Sequence, residues 1–315
     1  MRICLKRFDE TKYLNIITGR FFFHNTMDLF EYLNKANIEY AVIKGEALSV
    51  QAYNANGVRS YSDLDILVSK DDINIVSSFL RQNGYYNSIN ETILNDPLKC
   101  RAAEIFYLST SHQYFTFKKM IREHTLEIDL NFDVFWGEYD GRRLDVRSCF
   151  LKDAVFMDLY NCKVKCLNPI KAFIQLALHN YKDMNSIYIL SKGNVSYESH
   201  MKDLFYLLIN NIRLIPVDQL YDLSNSLEII PYIYYMLHFM SCYYHDSLLE
   251  PYIKKFKTDD GELLLNCYGL NKKERRQWDI TIEQRLNRDY VAHYIKHNLS
   301  SEELKKIDIN KQYFG

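Results

Sequence analysis

The chain has 315 residues, enough for about two domains with cores of their own. Hydrophobic residues make up 48% and charged residues 25%, an ordinary balance for a soluble globular protein. Lysine and arginine number 39 against 40 acidic residues, a formal net charge of −1, which excludes the net basic field that drives non-specific nucleic-acid binding and leaves only a local basic groove open.

Residues 12–37 carry an apolar side of Phe23, Met27, Phe30 and Leu33, which predicts a helix. A short apolar strand at 40–43 then runs into Lys44 and Gly45, and another helix is predicted from about Glu46. A glycine at this junction lets backbone approach a phosphate closely, the helix N-terminus presents free N–H groups, and Lys44 adds positive charge. An ordinary strand-to-helix turn with its usual glycine is the plain alternative.

The segment Ser62-Asp63-Leu64-Asp65-Ile66-Leu67-Val68 alternates as a strand, so Asp63 and Asp65 project from one face. Neighbouring carboxylates repel unless a cation sits between them. Oxygen ligands of this kind suit Mg²⁺, which takes its remaining ligands from water and phosphate. Asp-x-Asp at a strand end is also common solvated surface, so the pair gains meaning only from what surrounds it.

A helix is predicted over 71–82, with Ser69 placed to cap it and Gly84 to end it. Three strand-like runs follow at 104–110, 113–118 and 125–131. In the last, Glu127, Asp129 and Asn131 share a face. A third carboxylate there, on a strand beside the first pair, would complete a metal cage and could accept the proton of an attacking hydroxyl. An antiparallel strand with one wet face is the plain reading.

A charged, turn-rich linker at 136–147 leads to a last strand at 164–167, and Asn168-Pro169 reads as a helix start, cap then proline. Beyond it the chain is mostly helical. His179 and Lys182, three apart, share a helix face, and Lys202 and Asp203 lie on the next helix. A core histidine and a solvated charged face are the plain readings. The apolar run 229–244 falls short of the roughly 20 residues a membrane span needs. His238 and five tyrosines interrupt it, so a buried helix is predicted, its aromatic side chains either packing the core or lining a substrate cavity.

Seven cysteines are scattered along the chain. Cys162 and Cys166 flank Lys-Val-Lys, but no second pair follows at zinc spacing, so they read as incidental strand residues. The first residues lack the apolar stretch of a secretory signal, so reduced thiols in a cytoplasm are expected. There are only ten glycines and no dinucleotide-type glycine loop.

Taken in order, these motifs resemble the nucleotidyltransferase superfamily of the DNA polymerase β type. The variant resembled is the nucleotidyltransferase family protein found beside bacterial peptide natural-product gene clusters. The resemblance is carried by Ile43-Lys44-Gly45, by Arg59 with the Ser62–Val68 strand, and by Asp129-Leu130-Asn131-Phe132. His179 with Lys182, and Ser199-His200-Met201-Lys202-Asp203-Leu204, match two helical motifs shared with toxin-type nucleotidyltransferases. The resemblance implies that Asp63 and Asp65 hold two Mg²⁺ ions, with Mn²⁺ as a substitute, and that Asp129 joins them on the catalytic one. It implies that Gly45 and Ser62 lie near the triphosphate. Lys44, Arg59 and Lys182 would balance phosphate charge, and Asp203 would position Lys182 or the substrate. Two positions depart from the pattern. Glu46 stands where the family carries a serine, so a hydroxyl contact to phosphate is missing, and Asn131 stands where it carries a histidine.

The expected fold class is α+β: a small mixed β-sheet nucleotidyltransferase domain flanked by helices at 1–160, then a mainly α-helical domain at 161–315 that clamps substrate or nucleotide. The expected reaction moves a nucleoside monophosphate from an NTP such as ATP to a hydroxyl, or a phosphate, of a small-molecule or peptide acceptor in natural-product biosynthesis, releasing pyrophosphate. A tRNA acceptor end is the alternative. A non-catalytic nucleotide-binding module ranks last because all three carboxylates are present, and no membrane partner is expected.

Overall fold

The N-terminal segment folds as two helices, α1 (Arg2–Asn25) and α2 (Met27–Lys35), where periodicity over 12–37 predicted one. The break falls at Thr26, whose backbone leaves the helical region while its hydroxyl donates to the Phe22 carbonyl at 2.8 Å. That side-chain bond satisfies a carbonyl at the end of α1, and a short β-branched residue is well suited to compete with the helix ladder in this way. These features come from a computed structural model that describes residues 2–87, 97–135 and 143–305.

The strands are β1 (Tyr40–Val42), β2 (Leu64–Val68), β3 (Tyr86–Asn87), β4 (Phe117–Ile121), β5 (His124–Asn131), β6 (Val155–Leu159) and β7 (Cys162–Cys166). Between them lie α3 (Gly45–Tyr53), α4 (Ile73–Gln82) and α5 (Pro97–Thr110). The strands form one seven-stranded mixed sheet in the order β3-β4-β5-β2-β1-β7-β6. β2 runs parallel to β5, and β1 runs parallel to β7; the other neighbours are antiparallel. β1 and β2 are buried at every residue, which is why their sequences read as continuous apolar runs broken only by Asp65. Phe22, Phe30 and Leu33 join Leu64, Ile66, Ile128 and Leu130 in one core.

Several predicted elements shift. The run 104–110 belongs to α5, not to a strand. Its Ile, Phe and Tyr favour strands locally, but a proline at the first helical position and Ala102 and Ala103 within the same segment carry it into a helix. Of the run 113–118, only the part from Phe117 enters the ladder, and Gln113 makes a single bridge to Asn131. The strand predicted at 164–167 starts and ends earlier, as β7. Its Cys162, Val164 and Cys166 all point inward, where burial pushes the Cys162 thiol up to about 11. Ser69 makes no capping hydrogen bond; a short 3-10 turn, Lys70–Asp72, precedes α4. Of the predicted linker, residues 136–142 lie outside the described ones, and Arg147–Leu151 form a π-type turn.

The chain divides into two compact units, Met1–Leu176 with Tyr206–Pro216, and Ala177–Phe205 with Val217–Gly315. Helix α6 (Pro169–Asn185) opens as its sequence predicts, the Asn168 side chain accepting from the Lys171 N–H at 3.1 Å. Then come α7 (Ile187–Lys192), α8 (Tyr197–Asn210), α9 (Val217–Ser226) and α10 (Ile230–Tyr244). After α10 lie two short helices, a two-stranded hairpin and two more helices. Helix α10 is the predicted buried helix. Nine of its residues are buried, and Tyr232 and Tyr235 meet Tyr181 edge-on at 4.9 and 5.0 Å, so at least these aromatic side chains go into packing. No described helix is long and apolar enough to cross a membrane.

Ile66 is fully buried at the centre of the sheet core. Ile66→Ala should cost the first unit about 2–5 kcal/mol. Hydrogen exchange would show β1, β2 and β5 amides losing protection while those of α10 keep theirs.

Candidate active site

Register brings the acidic residues together. β2 and β5 lie side by side and parallel with Asp65 opposite Asp129, so the two carboxylates rise from the same face of the sheet. Asp63 sits one residue before β2, near enough that its charge acts on both. Thr116 Oγ1 donates to Asp129 Oδ1 at 2.7 Å. Lys44 Nζ and Asn131 Nδ2 both donate to Asp65 Oδ1, at 3.1 and 2.9 Å.

The electrostatics follow from this crowding. Burial pushes the Asp129 carboxyl up to about 6; the Thr116 hydrogen bond opposes the rise, and the charges of Asp65 and Asp63 add to it. Burial and then the Asp65 charge raise Asp63 above the usual carboxylate range, while Lys44 and Arg59 pull it back. Glu127 shares the Asp129 face of β5, but its carboxylate is engaged by Lys118 Nζ at 2.7 Å.

The turn before α3 is unusual. Lys44 has φ 56° and ψ −148°, and Gly45 follows with φ +42°, two left-handed backbones in succession. At Gly45 a Cβ would be strained by that φ and would press to 3.4 Å of the Tyr61 ring. Lys44 takes the N-cap place without a side-chain cap, so the first turn of α3 has no side-chain acceptor there. The Ile43 N–H donates to the Asp65 carbonyl at 3.0 Å, which ties the turn to β2. Ser62 is exposed and Arg59 half-buried. Glu46 is buried and accepts the Gly57 N–H at 3.1 Å, and burial pushes its carboxyl up. The position where the resembled family carries a serine thus braces the loop that leads to Arg59.

In the second unit, His179 and Lys182 share a neighbour that the motif did not name. Asp183 receives His200 Nε2 at 3.2 Å and His179 Nε2 at 3.5 Å on Oδ2, with Lys182 Nζ 3.7 Å from Oδ1. Burial acts to raise the Asp183 carboxyl, but His179, His200 and Lys182 together bring it well below the usual range. Lys202 is exposed while Asp203, its neighbour on α8, is buried. Sequence reasoning passed over Thr116, the donor role of Asn131 and Asp183, and met His200 only as part of a motif, with no role. Only Asp183 had a legible signal, its i,i+4 spacing from His179.

Residues 3–195 match the family described as "Uncharacterised nucleotidyltransferase". The chain belongs to that family. A nucleotidyltransferase takes a nucleotide and an acceptor, and the match spans Asp63, Asp65 and Asp129, the Lys44-Gly45 turn, and His179, Lys182 and Asp183, but not His200. No curated protein matches the chain. Among solved structures it is similar to an antigenic nucleotidyltransferase-like protein from Paracoccidioides brasiliensis, at 14% identity over 64% of this chain and 76% of that one, with a TM-score of 0.35. It is also similar to the antibiotic-resistance factor ANT(2'')-Ia, at 11% identity over 67% of this chain and 92% of that one, with a TM-score of 0.37. At these scores neither likeness bears on what this nucleotidyltransferase does.

Two measurements probe the charges. The folded nucleotidyltransferase holds the Asp129 proton more tightly than an unfolded chain does, so this contribution to stability is complete below the ordinary 3.8 and is lost as pH rises through about 6. Asp129→Asn should therefore be more stable than wild type at pH 8 in metal-free buffer, by about 1–2 kcal/mol after solvent screening, and no more stable at pH 3.5. Thermal unfolding across that range reads the difference. Asp183 has the opposite sign: its stabilisation is present above 3.8 and falls away in acid. Asp183→Ala should cost the second unit on the order of 3 kcal/mol at pH 7, seen as lost amide protection in α6 and α8.

Proposed function

We propose that this nucleotidyltransferase moves a nucleoside monophosphate from an NTP to a hydroxyl, or a phosphate, of a small-molecule or peptide acceptor, with Mg²⁺ and release of pyrophosphate. The observation that carries this reading is the parallel register that sets Asp65 beside Asp129, with Asp63 within electrostatic reach.

The surroundings of the three carboxylates suit a divalent cation. Their donors are hard oxygens. Burial is the main cause that raises Asp63 and Asp129, and the mutual repulsion that adds to it is what a cation relieves. Asp63, Asp65 and Asp129 would hold it. Among the described residues no three His, Cys, Asp or Glu side chains are already arranged to hold a metal ion, and Asp65 Oδ1 is taken by Lys44 and Asn131. The donor chemistry fits without a finished cage. When bound, Mg²⁺ supplies Lewis-acid stabilisation of charge on phosphoryl oxygens.

The chain's own groups account for the rest. Asp129, level with Asp65 across the β2–β5 pairing, would take the proton of the acceptor hydroxyl. The acceptor oxygen bonds to the α-phosphorus, and the bond from that phosphorus to its bridging oxygen breaks. Pyrophosphate leaves with the electron pair, and the hydroxyl proton goes to Asp129. The Lys44 ammonium, the Arg59 guanidinium and the N–H groups opening α3 at Gly45 supply positive charge for the phosphates. A formal net charge of −1 favours a compact acceptor over a polynucleotide.

The test is incubation with each α-labelled NTP, Mg²⁺, and a mixture of tRNA and peptide extract. Label should reach a small or peptide acceptor, and Asp65→Asn should lower the rate by about 10³-fold or more. An Asp65→Asn variant that keeps full turnover overturns the proposal, and label on tRNA would move the acceptor to the toxin-type alternative.

A further inference from the structure

We infer that Lys44 is a built-in competitor for the divalent cation, so that this site takes metal and polyphosphate together and holds metal alone only weakly. The inference rests on the reading just proposed, in that a cation is what the carboxylates are taken to hold.

Three observations carry it. Lys44 Nζ lies 3.1 Å from Asp65 Oδ1 with the two side chains only 12% and 9% exposed, so the ammonium already occupies the low-dielectric space beside the central carboxylate. A second cation on Asp65 would face that charge with little water to screen it. The inward oxygens are also satisfied without a metal: Asp65 Oδ1 accepts from Asn131 as well as Lys44, and Asp129 Oδ1 accepts from Thr116. Finally, the Lys44 backbone is fixed beside the carboxylates. It sits at φ 56° and ψ −148°, a region costly for a non-glycine residue, and its carbonyl accepts the Leu48 N–H at 2.9 Å as α3 begins.

Displacing Lys44 from Asp65 therefore takes a nearly buried ammonium off its hydrogen-bonded counter-charge, with only the more distant Asp63 and Asp129 charges left to it, which is unfavourable unless another anion replaces it. The place for that anion is adjacent. Gly45 and the first turn of α3 present N–H groups one residue away, where phosphate oxygens are favoured. A polyphosphate bound there would draw Lys44 off Asp65 and open the carboxylate to the metal. By linkage, each ligand then tightens the other by the same factor.

The probe is Mn²⁺, with free ion measured by electron paramagnetic resonance, in wild type, Lys44→Met, Lys44→Gln and Lys44→Arg, with and without a non-hydrolysable α,β-methylene NTP. Wild type should bind Mn²⁺ alone weakly and about 10-fold or more tightly with the analogue. Lys44→Met and Lys44→Gln should bind Mn²⁺ alone about 10-fold more tightly than wild type, with the analogue adding less than about 3-fold, whereas Lys44→Arg should behave as wild type. A gain of metal affinity is not something a misfolded variant produces. Equal or weaker Mn²⁺ binding by both neutral variants overturns the competitor role, as does equal coupling to the analogue in all four proteins. Tighter Mn²⁺ binding by the neutral variants supports the competitor role even if no acceptor is ever labelled, in which case only the proposed activity fails.

Discussion

The candidate site of the first unit answers to one difficulty: Asp63 and Asp129 are held near the Asp65 charge, where burial first and then repulsion oppose their ionisation. The parallel pairing of β2 with β5 creates the problem by placing Asp65 next to Asp129, and Asp63 adds to it from the residue before the strand. Charge of this kind is not kept at random inside a sheet. It is balanced here by Lys44, Asn131 and Thr116, each supplied by a different element or strand position. Burial, with the neighbouring charges adding to it, holds the Asp129 proton up to about 6 in the absence of a cation.

The turn that supplies Lys44 shows how a local rule is bent for this purpose. Two consecutive left-handed residues cost conformational energy, and only one of them is glycine. The strain is held by bonds on either side, from Ile43 to the Asp65 carbonyl and from Leu48 back to Lys44. Glu46, one residue into α3, turns inward to the Gly57 N–H and away from any phosphate role, so an apparent defect in the motif is a brace for the following loop.

The second unit solves the inverse problem. There one carboxylate, Asp183, gathers two imidazoles and an ammonium, and its ionisation is favoured in spite of burial. The motif residues His179 and Lys182 were legible because a helix repeats every 3.6 residues and their spacing puts them on one face. That His200 joins them was not, since it comes from α8, and nothing in a linear sequence says which face of another helix lies opposite.

By itself the sequence determined what contiguous residues determine. Alternation put Asp65 in a strand, the apolar run around Tyr235 had to be buried, Asn168-Pro169 had to open a helix, and Gly45 marked a strand-to-helix turn. It misread segments whose local preference is weak against their context: the strand-favouring run at 104–110 that α5 absorbs, and the helix that Thr26 divides in two. Tertiary structure alone decided that β5 lies parallel beside β2 with Asp129 level with Asp65, that β1 sits between β2 and β7, and that Thr116, Asn131 and Lys44 reach the carboxylates. Strand pairing joins residues far apart in the chain, and its register depends on the whole sheet and the core beneath it, so no window of sequence contains it.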